Sequence, residues 1–494
     1  MGTRTAIRLI RKGKTVEVDG FAPTDTLLDH LRLTEGAVGT KEGCCEGDCG
    51  ACTIAIGRLR DGRLVYEPVN ACITLLGMAD SAEIVTVEDI GQPDDPHPVQ
   101  ECMARHHASQ CGFCTPGIVM ALFCLFHERK TPGTRAIVNE WLAGNLCRCT
   151  GYRPIADAAI DALSRPRDDT FTGKRSDTES LLQSFDDAAD LLIDREDGFF
   201  AAPASIDALA RLYGDHPDAT LVAGATDVGL WVTKALRDLP KVIWLGRVAG
   251  LDRIEQTATS YLIGATCTYS DAEDIMASID PDLAEIWRRI GSKQVRASGT
   301  IGGNIANGSP IGDTPPPLIA LGAKLELRRG EAVRALPLED FFLEYGRQDI
   351  EPGEFVSGIL LPKPAPDRVF RCHKISKRFD QDISSVLGAF SFTLRDGVLS
   401  DPIIAYGGMA GTPKRATATE VALDGAPADD AERLQAALQC LDEDFRPLDD
   451  HRASAEYRLD VAKALLGKAL AEIGGVSTDK TRLRGFREAE PADG

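Results

Sequence analysis

Apolar residues alternate with polar ones near the start of the chain and change to helical spacing further along. Residues 5–20 alternate on both sides of a Lys-Gly-Lys turn, which predicts a β-hairpin. Thr24 or Asp25 can cap a short leucine-rich helix, and the run TIAI at 53–56 is typical of a strand. We therefore expect a small β-rich domain with one helix over residues 1–90.

Helical spacing dominates the next segment, residues 91–165. Thr115 followed by Pro116 predicts an N-cap and a first helical residue, and the apolar run after them supplies a buried face. A second helix is expected over 134–143 and a third from Pro154 onward. The segment is thus predicted to be a helical domain.

The rest of the chain mixes both patterns. Residues 166–197 are polar and short of large apolar groups, so they are predicted to form a linker. Helices and strands share residues 198–478, with glycine-rich turns at 223–229 and 299–312, and the charged tail 479–494 is expected to be loose. Together these patterns predict a multidomain α+β protein.

Composition narrows the possible functions. The formal net charge of −20 over 494 residues disfavours a nucleic-acid-binding face, which needs clustered Lys and Arg. No stretch approaches 18 apolar residues, and the N-terminus lacks the apolar core of a signal peptide, so we expect a cytoplasmic protein. Fourteen cysteines are too few for a disulfide scaffold of this size, and eight of them form two compact patterns.

The first cysteine quartet has the C-x4-C-x2-C…C spacing of plant-type [2Fe–2S] ferredoxins. Its thiolates come mostly from the glycine-rich loop 43–52: Cys44, Cys49, Cys52 and Cys72. Gly43, Gly47 and Gly50 would let backbone N–H groups turn toward the sulfurs. Cys45 breaks the spacing and is not expected to be a ligand. Zinc is the alternative metal, but zinc sites favour paired C-x2-C knuckles.

The second quartet combines C-x2-C with C-x-C: Cys111, Cys114, Cys147 and Cys149. Alone, this pattern is compatible with a [2Fe–2S] cluster or with zinc. Its position after an independent cluster domain favours a second cluster, because an electron relay needs successive centres. His97, His106 and His107 lack further ligands at useful spacing and are not assigned to a metal.

Two glycine-rich turns are candidates for a nucleotide site. The run LVAGATDVGLWVTK (221–234) predicts a strand, a turn and a helix start, whose N–H groups can hold a diphosphate. A second turn, SGTIGGNIANGSPIGDTPP (298–316), offers further polar groups. Neither matches G-x-G-x-x-G or a Walker motif, so ordinary surface turns are the alternative on these residues alone.

In combination, the motifs resemble those of a known family. CEGDCGAC, SQCGFCTPGIVM, NLCRCTGYRPI, GGNIANGSPIGD and YGGMAG are similar to strings in the small, iron–sulfur and flavin-carrying subunits of the bacterial xanthine dehydrogenase family, within the molybdenum hydroxylases. The resemblance covers roughly residues 5–475. It implies four domains around the linker: a β-grasp ferredoxin-like [2Fe–2S] domain (1–90), a four-helix [2Fe–2S] domain (91–165), an FAD-binding α+β domain like that of vanillyl-alcohol oxidase (198–367) and an α+β flavoprotein C-terminal domain (368–478).

The resemblance also implies binding residues. FAD contacts are implied at Leu221, Val222, Ala223, Gly224, Ala225, Thr226, Asp227, Val228, Thr300, Ile301, Gly302, Gly303, Asn304, Asp313, Val356 and Lys374. Asp227 matches an acidic position near the flavin and the nicotinamide. Gln110 and Cys149 match positions near the pterin of a molybdenum cofactor on a separate large subunit. No catalytic residue is expected in this chain.

The implied function is electron transfer. Hydroxylation of hypoxanthine to xanthine and then to urate would occur at the molybdenum cofactor of the large molybdopterin-binding subunit. Electrons would pass through the two [2Fe–2S] clusters and FAD to NAD⁺, within an (αβ)2 heterotetramer. The alternatives are the same role in another molybdenum hydroxylase, acting on an aldehyde or an N-heterocycle, and a stand-alone iron–sulfur flavoprotein carrier.

Overall fold

The computed structural model describes residues 2–128 and 131–482. The chain divides into two compact units. The first comprises the described residues up to Gly250 together with Gly291–Gly299, and the second comprises Leu251–Ile290 and the described residues from Thr300 onward. Within these described ranges, no helix combines the length and the apolar surface needed to cross a lipid bilayer.

Both units contain strands and helices. The strands are β1 Thr3–Arg4, β2 Ile7–Arg11, β3 Lys14–Val18, β4 Thr53–Arg60, β5 Arg63–Asn70, β6 Ala82–Val85, β7 Asp190–Arg195, β8 Gly198–Ala202, β9 Thr220–Val222, β10 Lys241–Trp244, β11 Ile254–Gln256, β12 Ser260–Gly264, β13 Lys324–Arg329, β14 Ala332–Pro337, β15 Phe342–Glu344, β16 Arg347–Gln348, β17 Phe355–Pro362, β18 Arg368–Ile375, β19 Val386–Arg395, β20 Val398–Gly407, β21 Lys414–Arg415 and β22 Ala426–Pro427. The α-helices are α1 Leu27–Asp29, α2 Pro98–Arg105, α3 Thr115–His127, α4 Arg135–Leu142, α5 Arg153–Ser164, α6 Thr170–Gly173, α7 Arg175–Ser184, α8 Ile206–Asp215, α9 Val228–Thr233, α10 Tyr269–Ile279, α11 Pro281–Arg288, α12 Lys293–Ser298, α13 Ile301–Asn307, α14 Pro315–Ala320, α15 Thr417–Leu423, α16 Ala431–Gln439, α17 Leu441–Asp444 and α18 Ala455–Ile473. A π-helix spans His30–Thr34, and short 3₁₀ turns span Leu76–Ala79, Leu338–Phe341 and Thr478–Lys480.

The N-terminal sheet of the first unit has the strand order β3–β2–β6–β4–β5. Strands β2 and β3 form the hairpin that the sequence predicts, and β2 runs parallel to β6. Thr26, not Thr24 or Asp25, caps α1, because its hydroxyl oxygen accepts the N–H of Asp29. The Asp25 carboxylate is already engaged by the N–H of Ala22 in the preceding turn.

Helices α2 to α5 pack around a buried core that includes Phe123 and Phe126. Helix α3 has Cys114 as its N-cap, so the predicted cap at Thr115 is wrong by one residue. The Thr115 hydroxyl hydrogen-bonds with Ser109 instead, at 2.8 Å. Helices α4 and α5 begin within one residue of their predicted positions, which confirms the helical character of this segment.

The segment 166–197, predicted as a linker, carries regular structure in the first unit. It contains α6, α7 and β7. Leu182 and Phe185 are buried in the same core as α3, and the Glu179 carboxylate accepts the N–H of Leu64 at 2.9 Å. Two apolar side chains among polar ones are enough to dock a short helix, and composition alone does not reveal this.

A second sheet of the first unit has the order β1–β7–β8–β10–β9. Strands β8, β10 and β9 run parallel, so their carboxyl ends share one edge of the sheet. The turn 223–227 leaves this edge and leads into α9. Val222 and Trp244 of this sheet share a hydrophobic core with Cys52 and Cys72 of the N-terminal domain. The glycine-rich turn and the first quartet thus belong to one packed unit.

The second unit contains a sheet of order β11–β12–β17–β13–β14, a hairpin of β15 and β16, and a sheet of order β18–β19–β20–β21 with β22 beside β20. Its described end is not loose: Arg482 pairs with Asp282 and with Glu472, each at 2.6 Å. The remainder of the predicted tail, 483–494, lies outside the described residues. The mixture of helices and sheets in both units confirms the α+β class.

Candidate functional site

The first cysteine quartet lies in the loop before β4 and in the turn after β5. The Sγ atoms of Cys52 and Cys72 are buried and lie 3.3 Å apart. The N–H of Cys44 donates to Cys49 Sγ at 3.4 Å, and the N–H of Cys49 donates to Cys44 Sγ at 3.3 Å. Cys72 also interacts electrostatically with Cys44, and all four are free thiols. The structure therefore gathers the four predicted sulfurs into one group.

Hydrogen-bond donors converge on the sulfur of Cys44. The Cys49 thiol, together with backbone N–H groups that include those of Glu46 and Asp48, holds the pKa of the Cys44 thiol at about 5, below its ordinary 9.0. A Cβ on Gly43 would lie 2.8 Å from Cys49 Sγ, so a side chain there would occupy space beside the sulfurs. A set of four thiols with N–H groups aimed at sulfur suits an anionic iron–sulfur cluster.

Cys45 is held apart from the quartet. Its φ of +56° is unusual for a residue with a side chain, and its thiol donates to a carboxylate oxygen of Glu42 at 3.0 Å. Burial and this carboxylate raise the pKa of Cys45 to about 12. The expectation that Cys45 is not a ligand is supported by this separate hydrogen bond.

The second quartet lies at the junction of two helix pairs. Cys111 and Cys114 precede α3, and Cys147 and Cys149 precede α5. The thiols of Cys114 and Cys147 interact with each other, and Cys111 interacts electrostatically with Cys114. The side chains of Cys111 and Cys149 are exposed, whereas those of Cys114 and Cys147 are half-buried. Tyr152 fixes the second loop by accepting the N–H of Cys147 at 2.8 Å.

One backbone hydrogen bond joins the loops of the two quartets. The N–H of Leu146, the residue before Cys147, donates to the carbonyl of Cys49 at 3.0 Å. The contact requires glycine at position 50, where φ is +68° and a Cβ would lie 2.1 Å from the carbonyl oxygen of Gly144. The two sets of thiols are therefore linked through a short stretch of main chain.

A buried polar network supports this link. The side chain of Asn145 donates to the Gly50 carbonyl at 3.0 Å, and the Gln294 amide donates to Asn145 Oδ1 at 2.8 Å and to Thr53 Oγ1 at 3.2 Å. Sequence reasoning missed Asn145 and Gln294, because isolated polar residues form no recognisable spacing. The only local signal is the position of Asn145 two residues before Cys147.

In the first unit, the predicted FAD-contacting segment 221–228 runs from the end of β9 to the start of α9. The indole N–H of Trp244 donates to the carbonyl of Ala223 at 3.1 Å, which fixes the start of the turn. A Cβ on Gly224 would lie 1.7 Å from the carbonyl oxygen of Ser298. Gly224 therefore permits a close approach to the protein backbone, and its predicted contact with FAD stays a prediction.

In the second unit, the predicted segment 300–304 begins α13. Thr300 caps the helix by accepting the N–H of Gly303 at 3.1 Å. A Cβ on Gly302 would lie 2.5 Å from the carbonyl oxygen of Ala265, so close packing requires glycine here. The Oδ1 atom of Asn304 is buried and has no hydrogen-bond partner within the described chain.

Asp313 and Lys374, far apart in sequence, form a buried ion pair in the second unit. The Lys374 ammonium donates to Asp313 Oδ2 at 2.6 Å, to the carbonyl of Asp382 at 2.7 Å and to that of Arg289 at 3.2 Å. The Ser384 hydroxyl donates to the other oxygen of Asp313 at 2.5 Å. The structure brings together two predicted contact residues and adds Asp382 and Ser384, which the sequence did not reveal.

The residues at both kinds of site can be compared with what iron–sulfur clusters and FAD require. The converging thiols and N–H groups fit iron–sulfur clusters. The unsatisfied Asn304 Oδ1 fits a ligand that brings a donor, because buried polar atoms are normally paired. Val356, whose predicted contact is through its main chain, lies in β17 opposite Leu327 of β13. Each segment is thus compatible with the predicted FAD contacts inside its own unit.

His97, His127 and Asp169 form a buried cluster of potential metal ligands in the first unit. Both Nε2 atoms lie at hydrogen-bond distance from Asp169 Oδ2, at 2.9 and 3.0 Å. The Nδ1 atom of His97 accepts the N–H of Val99, so neutral His97 carries its proton on Nε2 and donates it to Asp169. Both ring nitrogens of His97 are therefore hydrogen-bonded, and the cluster connects the start of α2 with the end of α3 through Asp169.

The chain is similar to known proteins along most of its length. Four domain families match successive segments: "2Fe-2S iron-sulfur cluster binding domain" over 9–76, "[2Fe-2S] binding domain" over 86–160, "FAD binding domain in molybdopterin dehydrogenase" over 195–364 and "CO dehydrogenase flavoprotein C-terminal domain" over 371–473.

The xanthine dehydrogenase of Drosophila pseudoobscura pseudoobscura is 33% identical over 476 residues, covering 84% of this chain and 35% of that protein. The xanthine dehydrogenase/oxidase of Mus musculus is 31% identical over 449 residues, covering 81% and 34%. These matches support a molybdenum hydroxylase iron–sulfur/FAD subunit.

The chain spans about a third of the length of the curated relatives it matches. A solved structure of carbon monoxide dehydrogenase from Hydrogenophaga pseudoflava aligns with a TM-score of 0.52 and 29% identity, covering 55% of this chain and 95% of that one. Each cysteine quartet falls inside one of the two iron–sulfur domain matches. The chain thus carries two [2Fe–2S]-binding domains, an FAD-binding domain and a flavoprotein C-terminal domain, as predicted.

Proposed function

We propose that the chain is the electron-transfer subunit of a xanthine dehydrogenase, an NAD-dependent oxidoreductase that acts on purine C–H groups. In this role it passes electrons from hydroxylation of hypoxanthine and xanthine, at the molybdenum cofactor of a partner subunit, through two [2Fe–2S] clusters and FAD to NAD⁺. The observation that carries the proposal is the hydrogen bond from Leu146 to Cys49, which joins two thiol quartets in one unit. Relatives named xanthine dehydrogenase support the choice of substrate.

We assign each cluster to one quartet. The first is held by Cys44, Cys49, Cys52 and Cys72, and the second by Cys111, Cys114, Cys147 and Cys149. The grouping of free thiols and the N–H donors to sulfur support this assignment. When bound, such clusters supply one-electron transfer. The chain contributes the thiolates, hydrogen bonds to sulfur and the partial burial that adjusts potential.

We assign FAD to the contact residues that the resemblance implies. The proposed contacts are Leu221, Val222, Ala223, Gly224, Ala225, Thr226, Asp227, Val228, Thr300, Ile301, Gly302, Gly303, Asn304, Asp313, Val356 and Lys374. The unpaired Asn304 Oδ1 and the buried Lys374–Asp313 pair support the contacts proposed within the second unit. We also propose that Asp227 lies near the nicotinamide of the acceptor.

The partner proposed for the chain is a large molybdopterin-binding subunit, in an (αβ)2 assembly. Gln110, Cys111 and Cys149 are exposed, and so are two large apolar residues close to them in the sequence, Phe113 and Leu146, at 49% and 46%. Exposed apolar side chains near cluster ligands in the sequence support a protein partner, because large apolar surfaces left in water often mark interaction sites. The free thiols support a reducing compartment, and we propose the cytoplasm.

The domain boundaries follow from the same assignment. We propose a ferredoxin-like domain over 1–90, a helical cluster domain over 91–165, an FAD-binding domain over 198–367 and a flavoprotein C-terminal domain over 368–478. The four family matches support this order, since each falls mostly inside one proposed domain.

Anaerobic purification of the chain from cells that produce it naturally tests the proposal. We expect flavin and iron–sulfur absorption, iron and sulfide in the amounts that two clusters require, and a large co-purifying subunit that contains molybdenum. The complex should reduce NAD⁺ when xanthine is added. A colourless chain that carries zinc would overturn the cluster assignment, and a coloured chain that never associates with molybdenum would favour the stand-alone carrier.

A second candidate is the same relay in a molybdenum hydroxylase with another substrate. The flavin-binding part also aligns with carbon monoxide dehydrogenase, so its fold does not select a purine. Assays with xanthine, an aldehyde and an N-heterocycle as alternative electron donors decide between the two. Turnover of an aldehyde or N-heterocycle in place of xanthine would replace the first candidate with the second.

A further inference from the structure

Helix α9 extends from the proposed FAD loop to the proposed first cluster. The helix begins at Val228, directly after Asp227, and ends at Thr233. Among its residues, Gly229 is fully packed into the protein, and its N–H donates to the carbonyl of Ala225 in the loop at 2.7 Å. One short helix therefore has its first turn fixed to the segment that we assign to FAD.

The packed face of α9 lies against the turn that follows Cys72. A Cβ placed on Gly229 would lie 2.7 Å from both the Cβ and the carbonyl oxygen of Ile73, the next residue after Cys72. Ordinary contacts need at least 3.4 Å, so alanine at position 229 would separate the helix and this turn by about 0.7 Å. The contacted atoms are close to or part of the backbone, so a change of rotamer does not relieve the clash.

The end of α9 is tied to the loop that carries the other three cysteines. The Thr233 hydroxyl lies 2.6 Å from the carbonyl oxygen of Cys45, the shorter of its two carbonyl contacts. Lys234, the next residue, pairs with Glu46 at 3.6 Å. Thr233 also lines a cavity of 160 Å³ together with Cys45 and Cys72. Both segments that bear the first quartet are thus in contact with the same helix.

We propose that Gly229 and Thr233 are positioning residues that set the spacing between the first cluster and the flavin, and thereby the rate of electron transfer between them. The inference rests on the proposed function and goes beyond it by naming residues that need not contact either group. Gly229 acts through Ile73 and Cys72, and Thr233 acts through the main chain of Cys45. Electron transfer between fixed centres slows steeply with distance, so a displacement of under 1 Å has a kinetic effect.

The test uses the full chain, with both clusters and FAD loaded, and four variants. Gly229→Ala enlarges the spacing, Thr233→Val removes the hydrogen bond, and Thr233→Ser restores it. Gly214→Ala is the matched control, because Gly214 lies in α8 and a Cβ there meets nothing within 4 Å. Iron, FAD and the midpoint potentials are measured first. A radiolytic pulse of a one-electron reductant then starts transfer between cluster and flavin, followed by flavin absorbance.

We expect slower transfer in Gly229→Ala and Thr233→Val at unchanged potentials, and wild-type rates in Thr233→Ser and Gly214→Ala. If Gly229→Ala loses iron or FAD, the comparison of valine with serine at position 233 decides. Loaded variants that all transfer at the wild-type rate would overturn the inference and leave the proposed function standing. A wild-type chain that binds neither clusters nor FAD would instead overturn the proposed function.

Discussion

Replacing Lys374 by methionine removes one charge from the buried pair at the proposed FAD site. The Lys374 side chain is fully buried, and its three donors are satisfied by Asp313, Asp382 and Arg289. Methionine keeps much of the apolar stem but provides no donor. Among the described residues, Asp313 would then keep only the hydrogen bond from Ser384, while its side chain stays 9% exposed.

The expected destabilisation follows from the geometry of this pair. Opposite charges 2.6 Å apart attract by about 6 kcal/mol at an effective dielectric constant of ~20. Part of that attraction offsets the desolvation of both groups, so removal of one partner should cost about 3–5 kcal/mol of unfolding free energy. Adding Asp313→Asn to Lys374→Met should recover most of this loss, because no uncompensated charge then stays buried.

Urea unfolding followed by tryptophan fluorescence measures the stability, and FAD per chain measures retention. Lys363→Met is the control: Lys363 is a partly exposed lysine of the same unit that donates to the carbonyl of Thr257. It should change stability by less than about 1 kcal/mol. Equal stability of the single variant Lys374→Met and the double variant would refute the argument from buried charge. Full FAD occupancy in both would refute the assignment of this pair to FAD.

Three further predictions concern the first unit and the end of the described chain. Cys49→Ala should abolish one of two [2Fe–2S] EPR signals in the reduced protein, whereas Cys45→Ala should keep both; loss of a signal in each would show that Cys45 is a ligand. Asn145→Leu removes three buried side-chain hydrogen bonds, to Gly50, Thr53 and Gln294, so it should lower stability by roughly 1–3 kcal/mol and weaken the spin coupling between reduced clusters; unchanged coupling would show that this network does not contribute to the coupling. Although burial raises it, hydrogen bonds led by that from Arg482 hold the pKa of Glu472 at about 2, below its ordinary 4.5. The stability that Glu472 contributes is therefore present above pH 4.5 and falls by roughly 3 kcal/mol as the pH drops toward 2, and Arg482→Met should flatten this acid dependence in urea titrations.

Secondary structure was predictable from the sequence where residues close together in the chain determine it. The hairpin of β2 and β3 follows from alternation around a glycine turn, and the helices α4 and α5 follow from apolar spacing and proline. Helix caps were less predictable, because Asp25 and Thr115 form competing hydrogen bonds in adjacent turns. Composition predicts a linker over 166–197, whereas the structure has α6, α7 and β7 there, because a few apolar residues such as Leu182 and Phe185 pack on a core formed by other segments.

The sequence by itself determined the chemistry of the thiols. Three cysteines in one glycine-rich loop reach a common point because the intervening chain is too short for them to separate, and their spacing therefore predicts a cluster. Only the tertiary structure decided how these local sites are connected: Leu146 with Cys49, Gly229 with Ile73, and Lys374 with Asp313. Such contacts join residues distant along the chain and depend on the packing of whole domains, so neither spacing nor composition reveals them.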